Sequence, residues 1–245
     1  MGIPVFFTLL PKKGNSATCE RIDVMQGFLA AFGSERIGCL IADREFIGQQ
    51  WYNFLLQSRI PFFIRLPKHH YFSIGGLELK AEQLLQKRNK CLLDNVLIGG
   101  HYLSVAIKRL PNDYLIVLTN TFAHQALNTY RQRWTIEIFF QSIKKRGFHI
   151  ESTHLQDLNR LHKLITLVAL AFTCCLMVGL WLDQNRKSIA HKNHGYKANS
   201  FFRHGLDFIR QAYRELHCQL QPLEHVFQIL LKIKLSNSLL SNSVM

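Results

Sequence analysis

The stretch YRQRWTIEIFFQSIKKRGF, residues 130–148, has the residue spacing of an amphipathic helix with a polar stripe. At about 3.6 residues per turn, four polar side chains fall within roughly 60° of arc, namely Tyr130, Arg133, Glu137 and Lys144. The other side is apolar and can pack on a core through Ile136, Phe139, Phe140 and Ile143. The glutamate between two cations is therefore a candidate functional group. The alternative is a solvated helix face on which Arg133 and Glu137 pair, worth a few tenths of a kcal/mol.

The charge of the chain favours a polyanionic partner. Its 245 residues carry 30 Lys and Arg against 16 Asp and Glu, a formal net charge of +14 at pH 7. This imbalance points to nucleic acid first and to an anionic membrane surface second, while a merely basic soluble protein is a third interpretation. The six cysteines contain no C-x-x-C pair, so a zinc ribbon is not expected. The sequence begins without a secretory signal peptide, which favours a cytosolic protein.

One segment has the composition of a membrane span. Residues 164–182, LITLVALAFTCCLMVGLWL, run without a charge and reach the length that a membrane-spanning helix needs. Basic residues flank both ends, so the charges give no orientation. A helix that is apolar all round is also expected where neighbours cover it on several sides. We interpret the segment as a core helix and keep the membrane span as the alternative.

The first part of the chain alternates strands and helices, which favours an α/β fold. The predicted elements are a strand over 3–10, a helix over 17–32 capped by Ser16 and ended by Gly33, a strand over 36–43 buried on both faces, a helix over 46–58 and a strand over 61–66. Residues 67–120 then have the pattern of short strands and turns. A basic linker over 183–199 and helical structure over 200–234 are predicted after the apolar helix.

Two carboxylates form a candidate metal site. Asp43 follows the strand over 36–43, and the carboxyl ends of strands in an open α/β sheet are where ligands gather. The alternative for Asp43 is a cap on the next helix. Together with Glu137 it offers the oxygen ligands that Mg²⁺ prefers, and such ions can activate water or a 3′-hydroxyl in phosphodiester chemistry. We therefore expect Asp43 and Glu137 to approach each other at the sheet edge.

The spacing Y-(2)-R-(3)-E-(6)-K, met by Tyr130, Arg133, Glu137 and Lys144, resembles the signature of bacterial insertion-sequence transposases of the DDE type, in the insertion-sequence-four family. IADREF around Asp43 resembles the second aspartate motif of that family. PVFFTLLPKKGNS and KANSFFRHGLDFIR resemble its flanking segments, so the resemblance covers nearly the whole chain. It implies a ribonuclease H-like catalytic core with a β-strand insert. The implied domains are the first part of the core over 1–66, the insert over 67–120, the second part of the core with the Glu-bearing helix over 121–182, and a helical C-terminal region over 183–245.

The resemblance also implies roles for the site residues. Asp43 and Glu137 are the implied catalytic metal ligands for Mg²⁺ or Mn²⁺, and Tyr130, Arg133 and Lys144 the implied contacts to DNA phosphates. Arginine can grip a phosphate with two hydrogen bonds, and lysine acts as a point charge. The implied partner is the double-stranded DNA of transposon ends, bound by a homodimer in a synaptic complex. A cytoplasmic, nucleoid-associated protein without a membrane is expected.

The sequence departs from the family pattern at its start. The resemblance places a first catalytic aspartate upstream of the strand over 3–10, and residues 1–19 contain no acidic residue. We therefore expect a truncated transposase that cleaves DNA poorly by itself. The alternatives are a catalytically inactive DNA-binding remnant and a basic membrane-associated protein built around 164–182.

Overall fold

The computed structural model describes residues 2–186, 188–193, 195, 197–215 and 221–232. The chain divides into two compact units. One, the sheet unit, comprises residues 6–134. The other, the helical unit, starts at residue 135 and also includes residues 2–5.

Within the described residues, the sheet unit is built on one seven-stranded sheet. The strands are β1 Leu40–Ala42, β2 Phe62–Leu66, β3 Tyr71–Ile74, β4 Leu77–Lys80, β5 Lys90–Ile98, β6 His101–Arg109 and β7 Tyr114–Thr119. Their order in the sheet is β1-β2-β7-β6-β5-β3-β4. β1 and β2 are parallel, and the other neighbouring strands are antiparallel. The structure is therefore a mixed α/β fold, as the sequence predicted.

Alternating side chains of the central strands fill two different cores. On one face, Phe62 and Ile64 of β2 pack in a cluster with residues of three helices. These helices are α1 Thr18–Phe32, α2 Gln49–Gln57 and α3 Ala81–Leu85. On the other face, Phe63 packs with Ala126 and Tyr130 of helix α4, which spans Ala123–Tyr130. The sheet is covered by helices on both faces, and α4 ends beside β1.

Glycine pairs form two of the hairpin turns. Gly75 and Gly76 connect β3 to β4, and Gly99 and Gly100 connect β5 to β6. All four have positive φ, between 58° and 82°, which is the backbone that a two-residue hairpin turn of type I′ requires. The prediction of short strands and turns over 67–120 is confirmed, with the short helix α3 in addition.

The strand predicted over 3–10 is wrong, because the described residues 2–10 form neither a helix nor a strand. An apolar, β-prone sequence becomes a strand only when a neighbouring strand takes up its backbone hydrogen bonds. This segment instead packs by its side chains, and the Phe6 ring meets Phe28 of α1 edge-on with centroids 6.2 Å apart.

The boundaries of the next elements are shorter than predicted. The N-cap of α1 is Ala17, whose N–H donates to the Glu20 carboxylate at 2.6 Å, whereas Ser16 accepts a hydrogen bond from Arg21. β1 is a three-residue edge strand with half-buried Leu40 and Ile41. The prediction of a longer strand over 36–43 that is buried on both faces is therefore wrong. The helix predicted over 46–58 begins only after Gly48.

Residues 130–148 do not form one continuous α-helix. α4 ends at Tyr130, a 3₁₀ turn spans Arg131–Arg133, helix α5 spans Trp134–Gln141, and a π-helix spans Ser142–Arg146. The Ser142 hydroxyl donates to the carbonyl of Ile138 at 2.7 Å, a local bond that competes with regular α-helical pairing. The prediction of a single polar stripe at 3.6-residue spacing is therefore wrong. Of the predicted apolar side, Phe139 and Ile143 are buried, while Ile136 and Phe140 are each 46% exposed.

The helical unit contains the predicted apolar helix and two later helices. They are α6 Leu158–Asn185, α7 Phe201–Arg214 and α8 Gln221–Lys232. Phe139 and Phe172 pack with Phe202 of α7 in one core, and Val178 packs with Val226 of α8 in another. α6 and α7 approach so closely that a Cβ added at Gly205 would lie 1.8 Å from the carbonyl oxygen of Cys175. The helical prediction over 200–234 is met in the described residues, and 216–220 and 233–245 lie outside them.

Helix α6 is long and apolar enough to cross a membrane, a test that core helices of soluble proteins also pass. Its residues 171–182 are each buried or half-buried. The helix contacts both α7 and α8. Leu167 and Leu170 nearer its start are 65% and 62% exposed. The C-terminal half of α6 thus has the core position that the sequence interpretation favoured.

Candidate active site

Asp43 lies immediately after the last residue of β1. One of its carboxylate oxygens accepts the N–H of Arg44 at 2.8 Å, and its backbone carbonyl accepts the N–H of Phe46 at 2.9 Å. These bonds form a tight turn that leads into α2, whose N-cap is Gly48. The alternative interpretation, in which Asp43 caps that helix, is therefore wrong. Its side chain is 37% exposed, so solvent or a ligand can reach the carboxylate.

Tyr130 and Arg133 both contact Asp43. The Tyr130 hydroxyl lies 3.4 Å from Oδ1 of Asp43 and donates to it. Nη1 of Arg133 lies 3.6 Å from Oδ2, and the guanidinium carbon lies 5.9 Å from the centre of the Tyr130 ring. We call these three residues the Asp43 cluster. The structure thus brings together three of the five site residues predicted from the sequence, all within the sheet unit.

The packing of α4 explains why the cluster forms. Ala126, Leu127 and Tyr130 lie on the buried side of this helix, against Phe63 of β2 and the half-buried Ile41 of β1. Tyr130 is only 6% exposed, so its ring is anchored in the core while its hydroxyl reaches the end of β1. The 3₁₀ turn that follows places Arg133 beside the same carboxylate.

The electrostatic surroundings keep Tyr130 protonated. Burial raises the pKa of its hydroxyl above the usual value of 10.0, and the negative charge of Asp43 raises the pKa further. Arg133 and Arg65 oppose this shift with their positive charges. A protonated hydroxyl is a hydrogen-bond donor, so Tyr130 can donate to a carboxylate or to a phosphate oxygen.

Arg65 is a neighbour of this site that the sequence interpretation missed. It lies on β2 two residues after Phe63, on the same face of the sheet. Nη2 of Arg65 lies 3.0 Å from Oδ2 of Asp113, so the charge is held in an ion pair. Side chains alternate between the two faces of β2, and this alternation could have been used to predict that Arg65 lies on the face covered by α4.

Glu137 and Lys144 belong to the helical unit. Glu137 lies in the first turn of α5 and is half-exposed. Lys144 lies in the π-helix, and its Nζ is 3.4 Å from a carboxylate oxygen of Glu151. Because π-helical residues turn through a smaller angle than α-helical ones, Lys144 does not keep the α-helical register to Glu137. Both side chains of the Lys144–Glu151 pair are more than half exposed.

The donor chemistry of Asp43 suits an oxygen-seeking cation. Mg²⁺ takes few protein carboxylates and completes its shell with water and substrate phosphate, and the Asp43 carboxylate is accessible. Within the part of the chain that the structure describes, no group of three or more His, Cys, Asp or Glu could hold a metal ion. The Asp43 cluster itself contains one carboxylate, that of Asp43.

A known family matches most of the chain. A family model described as a transposase DDE domain matches residues 2–174. Because this match covers well over half of the 245 residues, the chain belongs to the DDE transposase family. Membership assigns it to DNA transposition, a nucleotidyl transfer with DNA as the substrate. No curated protein matches the chain.

Proposed function

We propose that this chain is the catalytic part of an insertion-sequence transposase of the insertion-sequence-four group, with a ribonuclease H-like core. The Y-R-E-K spacing and the IADREF motif support the group. The observation that carries the proposal is the Asp43 cluster, in which Tyr130 and Arg133 of that spacing contact the aspartate of that motif. These residues are 87 and 90 positions from Asp43 in sequence, so local structure does not explain the contact.

Asp43 and Glu137 are the proposed ligands of Mg²⁺ or Mn²⁺. When bound, such ions activate water or a 3′-hydroxyl and stabilise the leaving oxygen of a phosphodiester. The contribution of the chain itself is to hold the DNA backbone. Arg133 and Lys144 supply positive charge, and Tyr130 supplies a hydroxyl that remains protonated.

The proposed partner is the double-stranded end of a transposon, bound by two copies of the protein in a synaptic complex. The net charge of +14 supports a polyanionic partner. The proposed location is the cytoplasm, at the nucleoid.

We expect this chain with Mg²⁺ or Mn²⁺ to cleave transposon-end DNA weakly or not at all while still binding it. The reason is the number of metal ligands. A two-ion mechanism holds its metals roughly 4 Å apart against their mutual repulsion. A site with few carboxylates among the described residues offsets little of that repulsion. Asp43→Asn and Glu137→Gln should each abolish the residual cleavage.

An end-cleavage assay on these proteins, with a duplex of unrelated sequence as control, measures the result. Strong Glu137-dependent cleavage by the chain itself would show that the ligand-number argument is wrong. A folded Glu137→Gln variant that binds DNA and cleaves it as well as the wild type would remove the catalytic role of Glu137. A folded chain that binds the DNA but never cleaves it would favour a DNA-binding remnant without catalysis.

A further inference from the structure

Asp183 connects the loop that follows helix α6 to the last turn of that helix. Its Oδ1 accepts the N–H of Ile189 at 2.7 Å, and its Oδ2 lies 2.5 Å from Nζ of Lys197. The C-terminal end of a helix disfavours negative charge, so these contacts with the loop stabilise the carboxylate there. The N–H of Ile189 and the ammonium of Lys197 accordingly lower the pKa of Asp183. We call residues 186–198 the basic loop.

The two arms of the basic loop also pair with each other. The N–H of Ala198 donates to the carbonyl of Ala190 at 2.7 Å. Between these residues, the N–H of Gly195 donates to the carbonyl of Lys192 at 2.8 Å and closes a turn, in which Gly195 has a φ of 82°. Ile189 is only 5% exposed, so the first arm is also held by apolar burial. The loop therefore has a defined shape before any partner binds.

Positive charge dominates the basic loop. It contains four Lys or Arg and two His, and its sequence has no Asp or Glu. Lys197 is held by Asp183 and by the Phe201 ring, whose centre lies 4.3 Å from Nζ. Arg186 and Lys192 are exposed. The loop thus uses one cation to fix its shape and presents others to solvent.

Phosphate groups of DNA are the partner that this surface fits. A cation on an ordered loop binds a phosphate without the entropy cost of ordering that loop. The aliphatic side chain of Ile189 is buried, so it does not offer the apolar anchor that insertion into a lipid surface uses. The transposase family model matches residues 2–174, so family membership assigns the basic loop no role.

We propose that the basic loop is a second DNA-binding element, in which exposed cations such as Lys192 contact phosphates and Asp183 positions the loop. This inference rests on the DNA partner of the proposed function and adds a contact surface outside the Asp43 cluster. Because an anchored loop has less conformational freedom to lose, breaking the anchor should weaken DNA binding even when the change makes the protein more positive.

Asp183→Ala separates positioning from charge. It removes one negative charge, which by itself strengthens the attraction for DNA. We expect it instead to weaken binding of the full chain to a duplex severalfold, measured by fluorescence anisotropy over a range of salt concentrations. Asp207→Ala is the matched control, because it makes the same change of charge at an exposed position of α7. This control should bind DNA at least as tightly as the wild type.

Lys192→Gln tests the contact directly, at an exposed residue of the turn. It should lower the salt slope of duplex binding by about one unit. Lys163→Gln, at an exposed position of α6, controls for net charge. In the Asp183→Ala background, Lys192→Gln should have little further effect, because an unanchored loop no longer holds Lys192 at a phosphate.

The other outcomes each overturn a stated part of the inference. Unchanged affinity and salt slope in Lys192→Gln, or an equal change in Lys163→Gln, would remove the basic loop from the DNA contacts. Tighter binding by Asp183→Ala, or fully additive effects of Asp183→Ala and Lys192→Gln, would show that Asp183 does not position the loop. Variants that lose binding to anionic vesicles but keep duplex binding would make a lipid surface the partner. Failure of the wild type to bind any duplex would instead overturn the DNA partner of the proposed function.

Discussion

Lys144, one of the proposed DNA contacts, forms a weak ion pair with Glu151. The two side chains are 54% and 60% exposed, and their charged atoms are 3.4 Å apart. Exposed pairs of this kind contribute at most about 1 kcal/mol and weaken with salt. A phosphate can therefore replace the Glu151 carboxylate at Lys144 at small cost.

We predict opposite effects of substitutions at the two members of this pair. Lys144→Ala should weaken duplex binding and lower its salt slope by about one unit, because one phosphate contact is lost. Glu151→Gln should strengthen binding, because the competing carboxylate is gone. The measurement is a fluorescence-anisotropy titration over a range of salt concentrations.

Arg203 provides the matched control for that experiment. It pairs with Asp207 on the exposed side of α7, with side chains about as exposed as those of Lys144 and Glu151. An equal loss of binding in Arg203→Ala would assign the effect to net charge alone. No change of binding in either Lys144→Ala or Glu151→Gln would remove Lys144 from the DNA contacts.

Among the elements, α6 and α7 depend on glycine at their crossing. A Cβ added at Gly179 would lie 1.9 Å from the carbonyl oxygen of Phe201, and the added Cβ at Gly205 would meet the backbone of Cys175. Backbone atoms cannot move aside as a flexible side chain can. The two helices would have to separate, which would disrupt the cores around Phe172 and Val178.

Gly179→Ala should therefore lower the free energy of unfolding by about 3 kcal/mol or more, as overpacking a buried contact does. Urea denaturation followed by circular dichroism measures the loss. Leu170→Ala on the same helix is the control, and its effect should stay within about 0.5 kcal/mol because Leu170 is 62% exposed. Equal stability of Gly179→Ala and the wild type would contradict the close crossing.

The sequence predicted elements well where the signal is local. The apolar run of α6, the glycine turns of the hairpins and the end of α1 at Gly33 each depend on residues within one segment. The strand over 3–10 failed because strand formation depends on a partner elsewhere in the chain. The helix over 130–148 failed because periodicity does not record a change to 3₁₀ or π hydrogen bonding.

The candidate site shows the same difference between local signals, which the sequence carries, and contacts that depend on the tertiary structure. Sequence spacing and family resemblance selected Asp43, Tyr130 and Arg133, and the structure brings these three together. The contact of Arg133 with Asp43 could not be predicted from helix spacing. It follows from the packing of α4 on β1 and β2, which is a property of the tertiary structure.

The whole molecule raises the question of membrane attachment, because α6 has the length and composition of a span. We predict that the protein stays in the supernatant without detergent, since residues 171–182 of that helix are covered by neighbouring helices. Ultracentrifugation of a lysate and flotation with anionic vesicles measure this. Binding to vesicles that persists in high salt would favour the membrane-associated alternative, because salt removes a purely electrostatic attraction.

The order of strands in the sheet also has a consequence for how the chain folds. β5, β6 and β7 follow one another in sequence and pair as neighbours, so the chain closes only short loops to form them. The pairing of β2 with β7 brings Ile64 opposite Leu118 and must close a much longer loop, at a greater cost in chain entropy. Contacts between residues close in sequence form fastest. We therefore predict that the β5–β7 meander forms first, that β2 and then β1 add to it, and that the proposed site around Asp43 takes shape late in folding. Pulse-labelling hydrogen exchange during refolding measures this order.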